Sequence, residues 1–180
     1  MYVIHVMAGV NFNLGTGLTQ LGQAGPVLEK KMKPFKNFQI RWKESLGYPE
    51  CPYLYRWTFI FSGYSIRLHH WLRSDDNRFF HDHACDLISI IIKGYYYNVV
   101  PLDPDNPDVK NCRKIKARAF RPWKAKATNK HYLEIPEGGA WTILLQGRPY
   151  HKWGFYVNNH KWRPLRYFHK FGIIQDENYQ

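Results

Sequence analysis

The 180-residue sequence predicts an all-β fold, either a barrel or a two-sheet jelly roll. Aromatic residues make up 17% of the chain and short β-branched runs recur, a composition that favours strands over helices. About eight short strand-like segments also follow one another between residues 53 and 157, with turn residues between them and no helical period. A chain of this length can bury a substantial core as one domain.

The predicted strands alternate with sequences that carry turn chemistry, such as Ser62-Gly63 and Pro136-Glu137-Gly138-Gly139. The strand-like segments are residues 53–61, 64–72, 79–83, 87–100, 113–120, 125–135, 141–145 and 153–157. Residues 33–46 fit either a helix or an edge strand, and Pro49 and Pro52 end whatever precedes them.

The domain organisation that we expect is simple, with neither an internal repeat nor a linker. Residues 1–31 are rich in Gly, Gln and Leu without a clear period, which predicts a poorly ordered N-terminal arm. Residues 32–180 are predicted to form a single β-barrel domain. Its last part, residues 158–180, is a polar and basic tail that we expect to close over the barrel.

Cysteine usage and the N-terminal sequence indicate a reduced compartment. The three cysteines have unrelated spacings, which argues against a disulfide framework or a cysteine-type zinc site. Residues 1–10 lack the basic start and apolar core of a signal peptide. No apolar run approaches the roughly 20 residues that cross a bilayer. We therefore expect a cytoplasmic protein that is not secreted and has no membrane partner.

The formal net charge of +12 is unevenly distributed. Nine Lys or Arg and no acid lie between Lys110 and Lys130. Here Lys114, Lys116 and Arg118 alternate with small or apolar residues, which predicts a half-buried strand with a basic outer face. Such a face attracts nucleic acid or another polyanion, and these three residues are the predicted nucleic-acid contacts. A solvated surface that keeps the protein in solution explains the charge equally well.

Two histidines separated by one residue form the most informative motif. His81 and His83 would point to the same face of an extended backbone, because side chains alternate with period 2. Asp86 follows three residues later, ahead of the apolar run 87–94, and His131 lies in a later strand. Imidazole and carboxylate ligands of this kind suit one divalent transition metal ion. The predicted ligands are His81, His83, His131 and Asp86.

This order of residues resembles the two motifs of the cupin superfamily. The matching residues are His81, Asp82, His83, Asp86 and Gly94 for the first motif, and Asn129, Lys130 and His131 for the second. The blocks 65–70, 74–76, 141–147 and 153–155 are similar to a family of small uncharacterised cupin-like proteins frequent in phage and bacterial genomes. The resemblance implies a double-stranded β-helix, the cupin-type jelly roll. It also implies that a homodimer is plausible, and a phage-encoded protein would act in the host cytoplasm.

The sequence departs from the cupin pattern at two points. Cupins place a Glu four or five residues after the second histidine, where this chain has Leu87 and Ile88. Asp86 comes earlier, so that it could bind the metal, orient a ligand or do neither. The cupin-like family carries Pro-Trp after the histidine pair, whereas this chain has Ala84-Cys85. Cys85 either lies near the metal or fills space as a small apolar residue.

Further residues are assigned from their places around these motifs. His69, Asp75 and Asp76 are predicted to orient the metal ligands through hydrogen bonds. An ordinary strand histidine is the alternative for His69. Arg67, Arg148 and Tyr150 are the predicted substrate-binding residues, since an arginine can hold a carboxylate or phosphate with two hydrogen bonds. A surface role is the alternative for Arg148.

Two functions of different classes follow. The first is a metal-dependent enzyme for a small polar or anionic substrate, with Fe(II) favoured over Zn, Mn or Ni, and oxygenation ahead of isomerisation. The second is a non-catalytic protein that binds nucleic acid or a nucleotide through the basic face. A phage structural or assembly protein built on the same barrel is a further alternative.

Overall fold

The structure is a computed structural model that describes residues 38–47, 50–75 and 77–172. Within these residues the chain forms ten strands and one short helix. They are β1 (Phe38–Gly47), β2 (Pro52–Phe61), β3 (Tyr64–Trp71), β4 (Leu87–Pro101), β5 (Cys112–Arg118), β6 (Trp123–Ala125), β7 (Tyr132–Glu134), β8 (Ala140–Gln146), β9 (Phe155–Val157), β10 (His160–Trp162) and α1 (Pro164–Phe171). The all-β prediction is confirmed, and the predicted arm 1–31 lies outside the described residues.

The strands pair in an antiparallel sheet with the order β1-β2-β3-β8-β4-β5, and β6 and β7 also pair with β4. The first half of β4 pairs with β8, and its second half pairs with β5. Gly94 lies between the two halves with a φ of 79°, and a Cβ there would come 2.6 Å from the carbonyl oxygen of Gly139. Glycine thus permits the change of partner along β4. The predicted jelly-roll class agrees with this arrangement.

The structure differs from two of the predicted strands. Residues 79–83 pair only through bridges from His81 to His131 and to Phe155. The predicted strand 125–135 is divided into β6 and β7, because the backbone between them hydrogen-bonds to the histidine segment (residues 79–86) instead of a strand. Ala127 donates its N–H to Asp86 Oδ1 and accepts the N–H of His83 at its carbonyl. Residues 33–46 fit either a helix or an edge strand by sequence, and their described part is a strand, β1.

The C-terminal helix α1 packs on the barrel through aromatic rings. Tyr167 is fully buried and stacks on Phe155 of β9 with 3.8 Å between ring centroids. The Phe155 ring lies 5.7 Å from that of His81, centroid to centroid. Pro164 suits the start of the helix because the first turn leaves backbone N–H groups unpaired anyway. The end of the described chain therefore supports the segment that carries the histidine pair.

The inner face of the barrel is partly polar. In β3, Ser65, Arg67, His69 and Trp71 are buried, whereas Ile66 is 51% exposed. These buried residues line a cavity of about 230 Å³ that also meets β2, β4, β8 and the histidine segment. Within the described ranges, no helix has the length and apolar character needed to cross a bilayer.

Candidate metal centre

The histidine pair lies in the segment between β3 and β4. His81 exchanges backbone hydrogen bonds with His131, with N–O distances of 3.0 and 2.9 Å. The amides of Asp82 and His83 donate to Gly154 and Ala127. These bonds keep the segment extended, so the rings of His81 and His83 lie on one side, 5.4 Å apart, while Asp82 points the other way.

The third histidine joins this pair across the backbone bridge. The ring of His131 lies 5.0 Å from that of His81 and 4.8 Å from that of His83, centroid to centroid. One ligand nitrogen from each residue lies within 4.8 Å of the other two. The structure therefore brings together the three histidines that the sequence singles out, from segments 48 residues apart at their closest contact.

The donor set of the three histidines fits a metal ion. His83 Nε2 and His131 Nε2 face each other at 2.6 Å, and His131 Nδ1 lies 2.5 Å from Asn98 Oδ1. Because an amide oxygen only accepts, Nδ1 of His131 carries the proton and its Nε2 offers a lone pair. Without an ion, the contact between the two Nε2 atoms needs a proton from His83. A cation would accept both lone pairs.

Burial keeps the three imidazoles in the neutral form that binds metals. Desolvation lowers the pKa of His81 to about 3, with a smaller effect from His83. Desolvation also holds the pKa of His83 well below its usual range, aided by His131 and Arg67. The pKa of His131 is lowered in the same way, by burial first and by His81 second. Acid is thus needed before a proton competes with a metal for these nitrogens.

A buried carboxylate approaches His81 from the loop after β3. Asp75 Oδ2 lies 3.9 Å from His81 Nε2, and its Oδ1 accepts the N–H of Leu133 at 2.9 Å. Asp75 also lines the cavity, as does His69. The position of Asp75 suits its predicted orienting role, whereas the ring nitrogens of His69 have no hydrogen-bond partner within the described residues. Asp76 lies outside the described residues.

Asp86 is placed apart from the three histidines. It accepts hydrogen bonds from Tyr150 Oη at 2.6 Å, the Ala127 amide at 2.8 Å and Lys126 Nζ at 3.0 Å. These bonds, with that of Tyr150 first, lower the pKa of Asp86 to about 2. The side chain is 42% exposed and ties the loop before β4 to two later loops. We therefore leave Asp86 out of the proposed ligand set.

The three predicted substrate-binding residues separate in the structure. Arg67 lines the cavity. Arg148 donates to the carbonyl of Ser62 at 3.0 Å and lies over the ring of Tyr64, and Tyr150 is exposed and bonded to Asp86. In this segment Gly147 and Pro149 line the cavity, whereas Arg148 and Tyr150 do not.

The basic outer face predicted for residues 114–118 is present on β5. Lys114, Lys116 and Arg118 are all exposed. Lys114 pairs with Glu134 at 2.7 Å, and Lys116 lies over the ring of Tyr95 at 3.8 Å from its centroid. Two of these three cations therefore already interact with other side chains of the protein.

Two residues of the site escape sequence reasoning. Asn98, which orients His131, is a single amide in an otherwise apolar stretch of β4, and that isolation is a usable signal. Asp82 is fully buried and accepts from the Gly154 amide, Tyr156 and Lys161. These three partners lie 72 to 79 residues away in sequence, so no local pattern points to them.

Fold and site together define a β-barrel protein of the jelly-roll class with a three-histidine candidate metal centre that is largely buried. No protein-family model matches the sequence, and the search of curated proteins found no match. Among solved structures, Fe(II)-HppE with an alternative substrate is similar at 10% identity, with a TM-score of 0.46 over 61% of this chain and 56% of that one. The chain thus spans little more than half of that structure.

Two further structures show likenesses of the same kind. An oxalate decarboxylase gives 11% identity and a TM-score of 0.42 over 64% of this chain and 28% of that one. A cupin-2 domain protein from Shewanella frigidimarina gives 15% identity and a TM-score of 0.37 over 48% of this chain and 72% of that one. At these identities and TM-scores, the likenesses decide neither the family nor the activity of this chain. The narrower phage and bacterial family stays a prediction.

Proposed function

We propose that this chain is a metal-dependent enzyme that binds one divalent transition metal ion through His81, His83 and His131. The observation that carries the proposal is the convergence of three neutral imidazoles, two buried and that of His83 half-buried, whose ligand nitrogens lie within 4.8 Å of one another. The cavity of about 230 Å³ next to them gives a substrate room to reach the ion. Three protein ligands leave coordination positions open for it.

The metal that we favour is Fe(II), with Zn, Mn or Ni as alternatives, because neutral imidazole suits all of them. When bound, such an ion would supply Lewis-acid activation of a substrate or of dioxygen. We place oxygenation ahead of isomerisation on this basis. If an acid joins the three histidines, the carboxylate in position is that of Asp75, 3.9 Å from His81 Nε2.

The residues around the site prepare it for this chemistry. Asn98 holds His131 with its Nε2 lone pair toward the centre. Trp71, Leu54 and Leu144 add apolar walls to the cavity, which limit the water that competes for open positions. The volume lies below the roughly 300–1,000 Å³ of ordinary ligand pockets, so the substrate is a small molecule.

We further propose that the protein works in the cytoplasm, as its cysteine usage predicts, and that it pairs as a homodimer. A size measurement in solution by light scattering tests the second point, since a monomer mass near 21.5 kDa would contradict it.

Elemental analysis of protein purified without a metal-affinity tag tests the proposed function. We expect about one transition-metal ion per chain, lost in His81→Ala and His131→Ala and retained in the control His160→Ala, whose side chain is exposed on β10. Oxygen uptake with candidate substrates follows for the loaded protein. Absence of metal after reconstitution of the unmodified protein contradicts the proposal.

A second candidate function is polyanion binding by the exposed basic face of β5. It is supported by the three neighbouring cations Lys114, Lys116 and Arg118. Fluorescence anisotropy with a labelled single-stranded oligonucleotide tests it. Binding that weakens steeply with salt, ignores chelators and is lost when these cations are replaced by Gln supports this function over the first.

A further inference from the structure

A buried arginine faces the cavity from the middle of β3. Arg67 is 8% exposed, and its Nε has no hydrogen-bond partner within the described part of the chain. His69 lies two residues further along β3 on the same face. It is 5% exposed, and neither of its ring nitrogens has a hydrogen-bond partner within the described part of the chain. Buried polar groups are nearly always bonded, so donors left open toward a cavity indicate a ligand that completes them.

The neighbouring arginine of β2, unlike Arg67, has a carboxylate as its hydrogen-bond partner. Arg56 is 2% exposed and donates from Nε to Glu44 Oε2 at 2.9 Å, and Thr58 also donates to that oxygen. The carboxylate of Glu44 is thus already paired with Arg56. Its influence on Arg67 is a weak attraction, smaller than the repulsion that Arg56 exerts. Among the described residues, no carboxylate pairs with Arg67.

Arg67 remains a cation at neutral pH in spite of its burial. Desolvation first, and Arg56 second, lower its pKa to about 10, which is still well above physiological pH. Burial also keeps the pKa of His69 well below its usual range, so that His69 is neutral and offers one N–H donor. The polar wall therefore presents a positive charge and a neutral donor side by side.

This wall belongs to the cavity that meets the three histidines. Arg67, His69 and all three candidate metal ligands line it. A molecule bound in this cavity could therefore contact the arginine and the metal centre at once.

We propose that Arg67 and His69 form an oxyanion-binding subsite that recognises the carboxylate or phosphate group of a small substrate. The planar guanidinium can hold two oxygens of such a group, and His69 can donate a further hydrogen bond. This inference rests on the proposed function for its statement that the bound anion is the substrate of the metal centre. The subsite itself requires no metal.

Calorimetric titration of the full chain with acetate and with methyl phosphate tests the subsite and separates its two sources of oxyanion. Acetamide is the neutral match for acetate. We expect at least one anion to bind in the millimolar range or tighter, and acetamide to bind at least tenfold more weakly. Arg67→Met should weaken that anion at least tenfold, whereas Arg113→Gln, an exposed arginine on β5, should leave it unchanged.

The Arg67→Met variant is also expected to fold, because an apolar side chain replaces a buried charge without a partner. A higher denaturation midpoint than the unmodified protein in anion-free buffer supports the inference independently. Equal anion binding by both proteins, or binding of neither anion, overturns it. Metal content measured on the same samples separates the two proposals, since a loaded protein without anion binding contradicts only the subsite. Arg67-dependent anion binding without metal contradicts only the metal-dependent function.

Discussion

Lys161 Nζ lies 2.5 Å from Oδ2 of Asp82, a carboxylate that is fully buried and 79 residues away in sequence. His151 Nε2 and Tyr156 Oη contact the same oxygen at 2.8 Å. The Gly154 amide donates to the other oxygen at 2.8 Å. The residue between the two histidines of the candidate metal centre is thus the point at which the chain from 151 to 161 is attached to the barrel.

Removing the cation from this network is expected to destabilise the protein. Lys161→Met leaves the Asp82 carboxylate buried with only neutral donors and His151, so the free energy of unfolding should fall by about 2–3 kcal/mol. This figure is below that of a fully buried pair because Lys161 is 29% exposed. Urea denaturation at neutral pH measures it. Lys152→Met, at an exposed position in the same loop, is the control, and an equal effect of both would contradict this role for Lys161.

Loss of the amide that orients His131 is expected to weaken metal binding. In Asn98→Leu, nothing accepts the proton on His131 Nδ1, so the ring can rotate or change tautomer. Metal affinity should drop about 10- to 100-fold. Competition with a chromophoric chelator measures the affinity, and circular dichroism checks the fold. Asn98→Asp keeps an acceptor and should retain most of the affinity; a loss as large as that of Asn98→Leu would argue against orientation as the cause.

Two adjacent glycines offer a matched test of packing in the turn before β8. Gly138 and Gly139 both have positive φ, but a Cβ on Gly138 meets nothing within 4 Å, whereas one on Gly139 would come 2.3 Å from the Trp71 carbonyl oxygen. Gly138→Ala should cost about 1–2 kcal/mol from backbone conformation alone. Gly139→Ala should cost a further ~1–3 kcal/mol, because the β3 backbone has to move. Equal denaturation midpoints for the two variants would refute the close approach.

The stability of metal-free protein is expected to fall in acid. His69 is buried in its neutral form, and its pKa is lowered by that burial. Below about pH 6.5 the unfolded chain therefore binds a proton at His69 that the folded chain does not bind. The contribution of neutral His69 to the free energy of unfolding is fully present above the pKa that His69 has in the unfolded chain. It is lost as the pH falls toward the lower pKa of His69 in the folded chain. Each such histidine contributes a slope of about 1.4 kcal/mol per pH unit.

Urea denaturation of chelator-treated protein at several pH values between 7.5 and 4 measures this slope. His69→Leu should reduce it by about one proton, while His160→Gln, at an exposed site, should leave it unchanged. An unaltered slope in His69→Leu would show that His69 takes up its proton as readily in the folded chain as in the unfolded one.

The histidine pair could be predicted from the sequence because an extended backbone shows its geometry locally. His81 and His83 lie on one side simply because they are two residues apart. The place of Asp86 could not be read in the same way. Whether a carboxylate points to the site or away from it depends on Tyr150 and Ala127, which approach from loops far along the chain.

The inner face of β3 shows where hydrophobicity alone misleads. In this strand Ile66 is half exposed, while Arg67 and His69 point into the barrel. A cavity that holds a ligand can reverse the usual order of polar and apolar faces, and the strand pattern then indicates function more than packing. Alternation predicts the strand correctly but leaves open which face is inside.

The reciprocal backbone bonds between His81 and His131 also bear on which ion the protein takes up. Because the backbone already holds these ligands together, little rearrangement accompanies binding, and the ligands themselves then set the order of metal affinities. Neutral nitrogen ligands bind Cu(II) and Zn(II) more tightly than Fe(II). For an ion bound at this candidate centre, the metal supply of the cell would therefore decide the occupant, so an iron-dependent activity would emerge after anaerobic loading of metal-free protein and would be suppressed by stoichiometric zinc.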